Sequence, residues 1–240
     1  MSDVIYTEGN RTITIEGMDD VRRALGDLEK KAPAAVKVAI NSTAREARKM
    51  MVAQAKARYA VNAAGRRHLN DLVQRKKATN KSLSTELHIR SFRNDLAYFH
   101  HSPTTPFPGE AVRRAPKFFK ANVLKNEPMK RLNGGSDSKG YRVSKGFLVK
   151  FKSGHVGMVQ RIIGSHSAHT VTERGYPRWR NKNGQVEKLV TMGSPSAAAM
   201  HNTIWPAVEP DVEVYLQNRL TQQVQRILVR EAQKARRSPK

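Results

Sequence analysis

The sequence predicts an α+β fold: an N-terminal strand and two helices, an antiparallel sheet with long basic loops, and a long C-terminal helix. Three observations predict it. Apolar side chains recur at helical spacing over residues 34–64 and again from Val212 onward. Between these stretches the period falls to two, most clearly over 147–163. No regular alternation of strand and helix is present, which disfavours a parallel sheet. The 240 residues are read as a single domain spanning 1–240, with flexible loops about 102–145 and 164–186 and a basic C-terminal tail 230–240.

Residues 12–15 (Thr-Ile-Thr-Ile) alternate polar and β-branched side chains, a strand signature. Gly17 ends that run, and Asp19 or Asp20 can cap a helix from about Val21, with Val21, Leu25 and Leu28 on one face. Pro33 is expected to break it. A long second helix follows from Ala34 to Ala64, its stripe formed by Val36, Ile40, Ala44, Ala47, Met51, Ala55 and Tyr59. Lys37, Asn41, Arg45, Arg48, Lys49 and Lys56 occupy the other side. Gly65 is expected to stop this helix, and 66–79 to add a short basic helix around Leu69, Leu72 and Val73.

Leu83 to Phe92 reads as a strand with Leu87 and Ile89 on one face, and Leu96 to Phe99 as its antiparallel partner. Four prolines in 102–116 exclude a central strand there. Residues 133–140 form a tip with almost nothing to bury. The clearest hairpin alternates Phe147, Val149 and Phe151 with Leu148, Lys150 and Lys152, turns at Ser153-Gly154 and returns over 156–163. Residues 188–192 suggest a further strand, after a polar basic loop over 164–186. Ala197 to Thr203 reads as a short helical turn, and Pro206 and Pro210 as helix-start positions. Leu216, Leu220, Val224, Ile227 and Leu228 then make the stripe of the closing helix.

Charge narrows the function. The 44 Lys and Arg against 20 Asp and Glu give +24, a field that attracts DNA, RNA or an acidic protein wall. The excess is spread through the chain, with 17 basic against 3 acidic side chains, a balance of +14, over 111–182. Like charge also repels copies of the protein, so self-assembly calls for something negative beside the subunits. The absence of cysteine excludes disulfides, thiolate zinc sites and cysteine nucleophiles. No apolar run approaches a membrane span and no signal pattern opens the chain, so a soluble protein made in a cytoplasm is expected.

No catalytic constellation is legible. Gly134-Gly135 lacks the Lys-Ser/Thr of a phosphate loop, and no Gly-x-Ser-x-Gly elbow exists. Residues 111–182 contain only Glu127, Asp137 and Glu173, too few for a metal-dependent nuclease. His100-His101, His155 and the His166/His169 pair lack a third ligand in sequence. No catalytic residue, metal or cofactor is therefore expected, and the protein is read as not an enzyme. The best polyanion candidate is Arg174-Gly-Tyr-Pro-Arg-Trp-Arg (174–180), where arginine forks suit phosphates. Tyr176 and Trp179 suit either stacking on bases or packing the loop. Without a sequence-reading motif, DNA contacts are expected at phosphates.

Ile15-Glu-Gly-Met-Asp-Asp-Val (15–21) leading into two helices, the hairpin Phe147–Arg161, and Thr203-Ile-Trp-Pro-Ala before a long helix within Pro195–Leu228 together resemble the minor tail protein Z family. These are tail-completion proteins of long-tailed bacteriophages. The resemblance spans nearly the whole chain, with the Pro-rich loop 102–116 and the basic insert 164–186 as departures. It implies a structural virion protein at the head-proximal end of the tail, present in the host cytoplasm during assembly. It also implies a ring of copies, such as a hexamer, around a channel that double-stranded DNA crosses. The implied partners are the tail terminator, the tail tube and the head-tail connector.

On that reading the DNA-facing candidates are Arg113, Arg114, Lys117, Lys120, Arg174, Arg178, Arg180 and Lys182. Candidates for core or inter-subunit helix packing are Val36, Ile40, Met51, Leu216, Leu220 and Val224. The alternatives are a free-standing, non-sequence-specific nucleic-acid-binding protein and a hydrolase using the histidines.

Overall fold

In a computed structural model the described residues are 4–7, 10–14, 18–69, 72–89, 93–137, 139–171, 175 and 177–237. Two strands, β1 (Val4–Thr7) and β2 (Asn10–Thr14), precede α1 (Met18–Leu25) and α2 (Ala32–Arg58). Next come α3 (Ala63–Leu69), β3 (Leu72–Lys76) and β4 (Ser84–Ile89). Short strands follow: β5 (Asn94–Asp95), β6 (His100–Ser102), β7 (Lys120–Asn122), β8 (Lys130–Arg131) and β9 (Gly135–Ser136). Then come β10 (Arg142–Val143), β11 (Phe147–Lys150), β12 (Val156–Arg161), β13 (Leu189–Thr191) and β14 (Gly193–Ser194). The last element is the 41-residue α4 (Ala197–Arg237). Helices segregated from small antiparallel sheets make this an α+β fold. Where the sequence suggested one domain, the chain clusters into two compact units.

The first unit comprises Met1–Ala57, His68–Phe92 and Ser196–Lys240. Within it, the α2 stripe from Val36 through Ile40, Ala44, Ala47 and Met51 to Ala55 is buried throughout. Alanine favours the helix and lets neighbours approach closely. Asn41, on the side opposite the stripe, is half-buried: its amide donates to the Ala78 carbonyl at 3.0 Å and accepts from the Ala78 N–H at 3.1 Å. Arg219 Nε on α4 donates to Ser42 Oγ on α2 at 3.0 Å. Leu216 is fully buried and Leu220 buried, so they belong to the core, as do Val36, Ile40 and Met51. Val224 is half-buried.

Pro33 does not end the first helix. That helix stops at Gly26, whose φ of +50° suits glycine, and a 3-10 turn follows to Lys31. Pro33 instead falls in the first turn of α2, where no N–H is needed. The expected helix over 66–79 is replaced by α3 and then β3, which pairs with β4 in a sheet ordered β1-β2-β4-β3. Leu87 and Ile89 share the buried face of β4 as expected.

The largest correction concerns α4, which continues through Pro206 and Pro210 instead of starting there. Each proline removes one intrahelical bond. They lie four residues apart, and both prolines are exposed. Ile204, Trp205, Val208 and Val212 are buried on the opposite face, and their burial offsets the lost bonds. Ser196 caps the helix, its Oγ accepting the Ala199 N–H at 3.1 Å. Among the described residues no helix is long and apolar enough to cross a membrane.

The second unit comprises Arg58–Arg67 and Arg93–Pro195. The chain leaves helix at Tyr59, and 59–61 pair as extended backbone with Leu124 and Phe99. Asn62 caps α3: its Oδ1 accepts the Gly65 N–H, and its amide donates to the Ala97 and Phe99 carbonyls. Gly65 therefore sits inside a helix, contrary to the expected stop. A Cβ there would fall on the Tyr98 carbonyl oxygen, so the close approach demands glycine. Leu96–Tyr98 is a 3-10 turn rather than a partner of β4, because the Asp95 side chain takes the Ala97 N–H. The 133–140 tip holds β9, paired with β10, and Asp137 Oδ1 accepts the Lys139 and Tyr141 N–H groups. The 147–163 hairpin forms as expected, β11 pairing with β12 and β12 with β13.

Ile40→Ala is expected to cost about 2–5 kcal/mol, because it empties a fully buried site. The midpoint of urea unfolding at unchanged m-value measures it. Gly65→Ala should destabilise although alanine is the better helix former, and a stability gain would contradict the placement of Tyr98. A pH effect follows from Glu231, which pairs with Lys31 at 2.6 Å and Lys234 at 3.3 Å. Hydrogen bonds from Lys31 and then Lys234 hold its carboxyl below the usual value. A depressed folded-state pKa stabilises above the unfolded value of about 4.3 and is lost as pH falls through the folded one. Glu231→Gln should therefore lower the thermal midpoint slightly at neutral pH, with the difference closing below about pH 4.

Candidate nucleic-acid interface

Cations dominate the second unit, with 22 basic against 6 acidic side chains, a balance of +16. The first unit, by difference, has 22 against 14, or +8. The side chains of four second-unit carboxylates are described, and each is committed locally. Asp95 is buried; its Oδ1 accepts the Ala97 and Met158 N–H groups at 2.9 and 3.0 Å, and Oδ2 lies 2.9 Å from His155 Nε2. Glu127 pairs with Lys130 at 3.0 Å. Asp137 holds its turn, and buried Glu187 accepts the Gly164 N–H and the Asn181 amide through Oε1. The remaining positive charge is left to the surface.

One cluster gathers around Phe118, half-buried just before β7. Lys145 Nζ stands 4.1 Å from the ring centroid, Arg131 Cζ 5.3 Å and Lys117 Nζ 5.9 Å. Each contact is worth about 0.5–1 kcal/mol at an exposed site, and together they concentrate three positive charges. Strand register adds a fourth, because exposed Lys120 on β7 faces exposed Arg131 on β8. Arg113 and Arg114 are exposed at the end of the 3-10 turn 109–114.

A second cluster forms on the β11–β12 hairpin. The Arg161 guanidinium lies between two rings, 4.8 Å from Phe147 and 4.2 Å from Trp179. Burial holds its pKa below the usual arginine value, while Glu187 opposes that shift. Trp179 thus packs the loop and still keeps 54% exposure. Arg178 is half-buried and Nε donates to the Val171 carbonyl at 3.1 Å, whereas Arg180 Nη1 donates to the Gly184 carbonyl at 2.7 Å. Lys182 is exposed in the turn whose Gly184 has φ +73° and whose Asn181 Oδ1 accepts the Asn183 and Gln185 N–H groups. Arg174 and Tyr176 lie outside the described residues.

Two histidines serve local structure. His155 bonds Asp95 and stacks parallel on Phe151 with centroids 5.9 Å apart, while Tyr98 tilts toward it at 5.3 Å. His101 Nδ1 lies 2.8 Å from the Pro103 carbonyl oxygen. Among the described residues no three His, Cys, Asp or Glu side chains gather as a metal site. Two of the predicted cations fall near a ring or a facing cation: Lys117 and Lys120. Arg131, Lys145 and Arg161 escape sequence reasoning. The Lys-Phe-Phe-Lys run at 117–120 is the available signal, but strand pairing alone delivers Arg131.

Comparison with protein-family models, curated proteins and solved structures finds no match. Asp95→Ala is expected to cost at least about 2 kcal/mol, since it orphans two buried N–H donors. Urea unfolding measures this, and a change within error would deny Asp95 its structural role.

Proposed function

We propose that the protein is a structural component of a long-tailed bacteriophage, a tail-completion or minor tail protein at the head-proximal end of the tail. It helps complete the tail and join it to the head around the DNA channel, and it turns over no substrate. The observation that carries the reading is the second unit's charge: 22 bases against 6 acids, with the described carboxylates committed locally. Such a surface meets phosphate oxygens without reading sequence. The family resemblance supplies the location. Copies this basic repel one another, and DNA in the channel offsets that repulsion in a ring, for which six copies are the expectation. The implied neighbours are the tail terminator, the tail tube and the head-tail connector.

The cations around Phe118 favour a second reading, a free-standing non-sequence-specific nucleic-acid-binding protein. Titration against duplex DNA across salt separates the two: weak, steeply salt-dependent binding fits a channel lining, and tight binding at ~0.2 M salt fits the module. Charge reversal at Lys117, Arg131 and Lys145 should reduce the slope of log K against log salt by about one unit for each phosphate no longer neutralised. An unchanged slope would remove this cluster from the interface. In infected cells lacking the protein, filled heads and tails should accumulate unjoined in electron micrographs. Normal joined particles would contradict the structural role.

A further inference from the structure

The hairpin sheet has an unusual second face. Leu148 and Met158, register partners, are buried on one side. Alternation turns Phe147 and Val149 to the other side, where they floor a groove of about 1460 Å³ with Phe151 at one end. Leu189 of β13 and Trp179 of the loop continue the apolar lining. Phe151, Leu189 and Trp179 are 37%, 39% and 54% exposed, so three large apolar side chains meet solvent in one concavity. The volume exceeds the roughly 300–1,000 Å³ of small-molecule sites and suits a stretch of polymer.

Charge selects the polymer. Among the described residues the lining holds four cations, Lys150, Lys152, Arg161 and Arg178, and one carboxylate, Glu187. Glu187 is buried and hydrogen-bonded within the loop, and with its charge counted the lining still has three more cations than carboxylates. Stacking on nucleobases is restricted on one side, because the Arg161 guanidinium stands 4.8 Å from the Phe147 ring and 4.2 Å from the Trp179 ring, while Phe151 runs parallel to His155 with centroids 5.9 Å apart. What remains open is aliphatic surface and part of each ring, at the two-residue spacing of a strand along the hairpin and flanked by positive charge.

We propose that this groove docks an extended acidic polypeptide segment of another protein, with apolar side chains at alternate positions packing on Val149, Phe151, Leu189 and the exposed part of Trp179. Acidic side chains between those anchors meet Lys150, Lys152 and Arg178. The inference goes beyond the DNA-channel reading and is separable from it, because Lys117, Arg131 and Lys145 do not line the groove.

The test is fluorescence anisotropy on the full-length protein with a short labelled peptide alternating glutamate and leucine. Micromolar binding is expected, weakened about tenfold or more by Trp179→Ala and by the double change Lys150→Glu, Lys152→Glu. A peptide alternating glutamate and serine should bind about tenfold more weakly or worse; equal affinity would reduce the effect to bulk charge and overturn the proposal. Displacement of the peptide by equimolar oligodeoxythymidine would assign the groove to single-stranded nucleic acid and overturn it too. Circular dichroism verifies that each variant folds. Independently of any variant, the peptide should shield Trp179 from acrylamide, since the other tryptophan, Trp205, is already buried; unchanged quenching would sink the assignment.

Discussion

Asp95 is the point on which the second unit is organised. One buried carboxylate accepts the N–H that starts the 96–98 turn, a second N–H from β12, and the imidazole of His155. It sits on β5, paired with β14, so a single side chain fixes strand, turn and hairpin. The arrangement demands Gly157, because a Cβ there would meet Phe151 and Asp95 Oδ2 at 2.6 and 2.7 Å. Two backbone N–H donors and the adjacent imidazole compensate the cost of burying the carboxyl group. The same pattern extends through the unit: where acids are few and used for structure, the surface becomes cationic by subtraction.

Much of the fold is legible in sequence because it rests on local periodicity. The α2 stripe from Val36 to Ala55 and the 147–163 hairpin each carry enough repeats to declare their period. The errors lie where tertiary contacts overrule local signals. Gly65 and Pro33 look like breakers, yet one is required by the nearby Tyr98 carbonyl and the other fits a helix's first turn. Pro206 and Pro210 look like helix starts because sequence does not reveal that both share one exposed face, opposite four buried side chains. Leu96–Phe99 has the composition of a strand, but Asp95 supplies a competing acceptor that turns it.

The candidate site is legible as composition more than as geometry. Basic residues at 113–120 and 178–182 are visible in the chain, but their companions Arg131, Lys145 and Arg161 arrive through strand pairing and ring contacts. Trp179, open to two readings in sequence, holds its loop against Arg161 while remaining half-exposed. The alternation of Phe147, Val149 and Phe151 is visible as well; only burial on the opposite side, at Leu148 and Met158, reveals that both faces of the hairpin are apolar.

On the proposed reading the protein acts through position and field, so the decisive observation is where it resides. Cryo-electron microscopy of intact virions carrying it should place several copies in a ring at the head-proximal end of the tail, with second-unit cations toward the DNA density. A map in which this chain is absent from the particle, or lies with the second-unit cations turned away from DNA, would contradict the account.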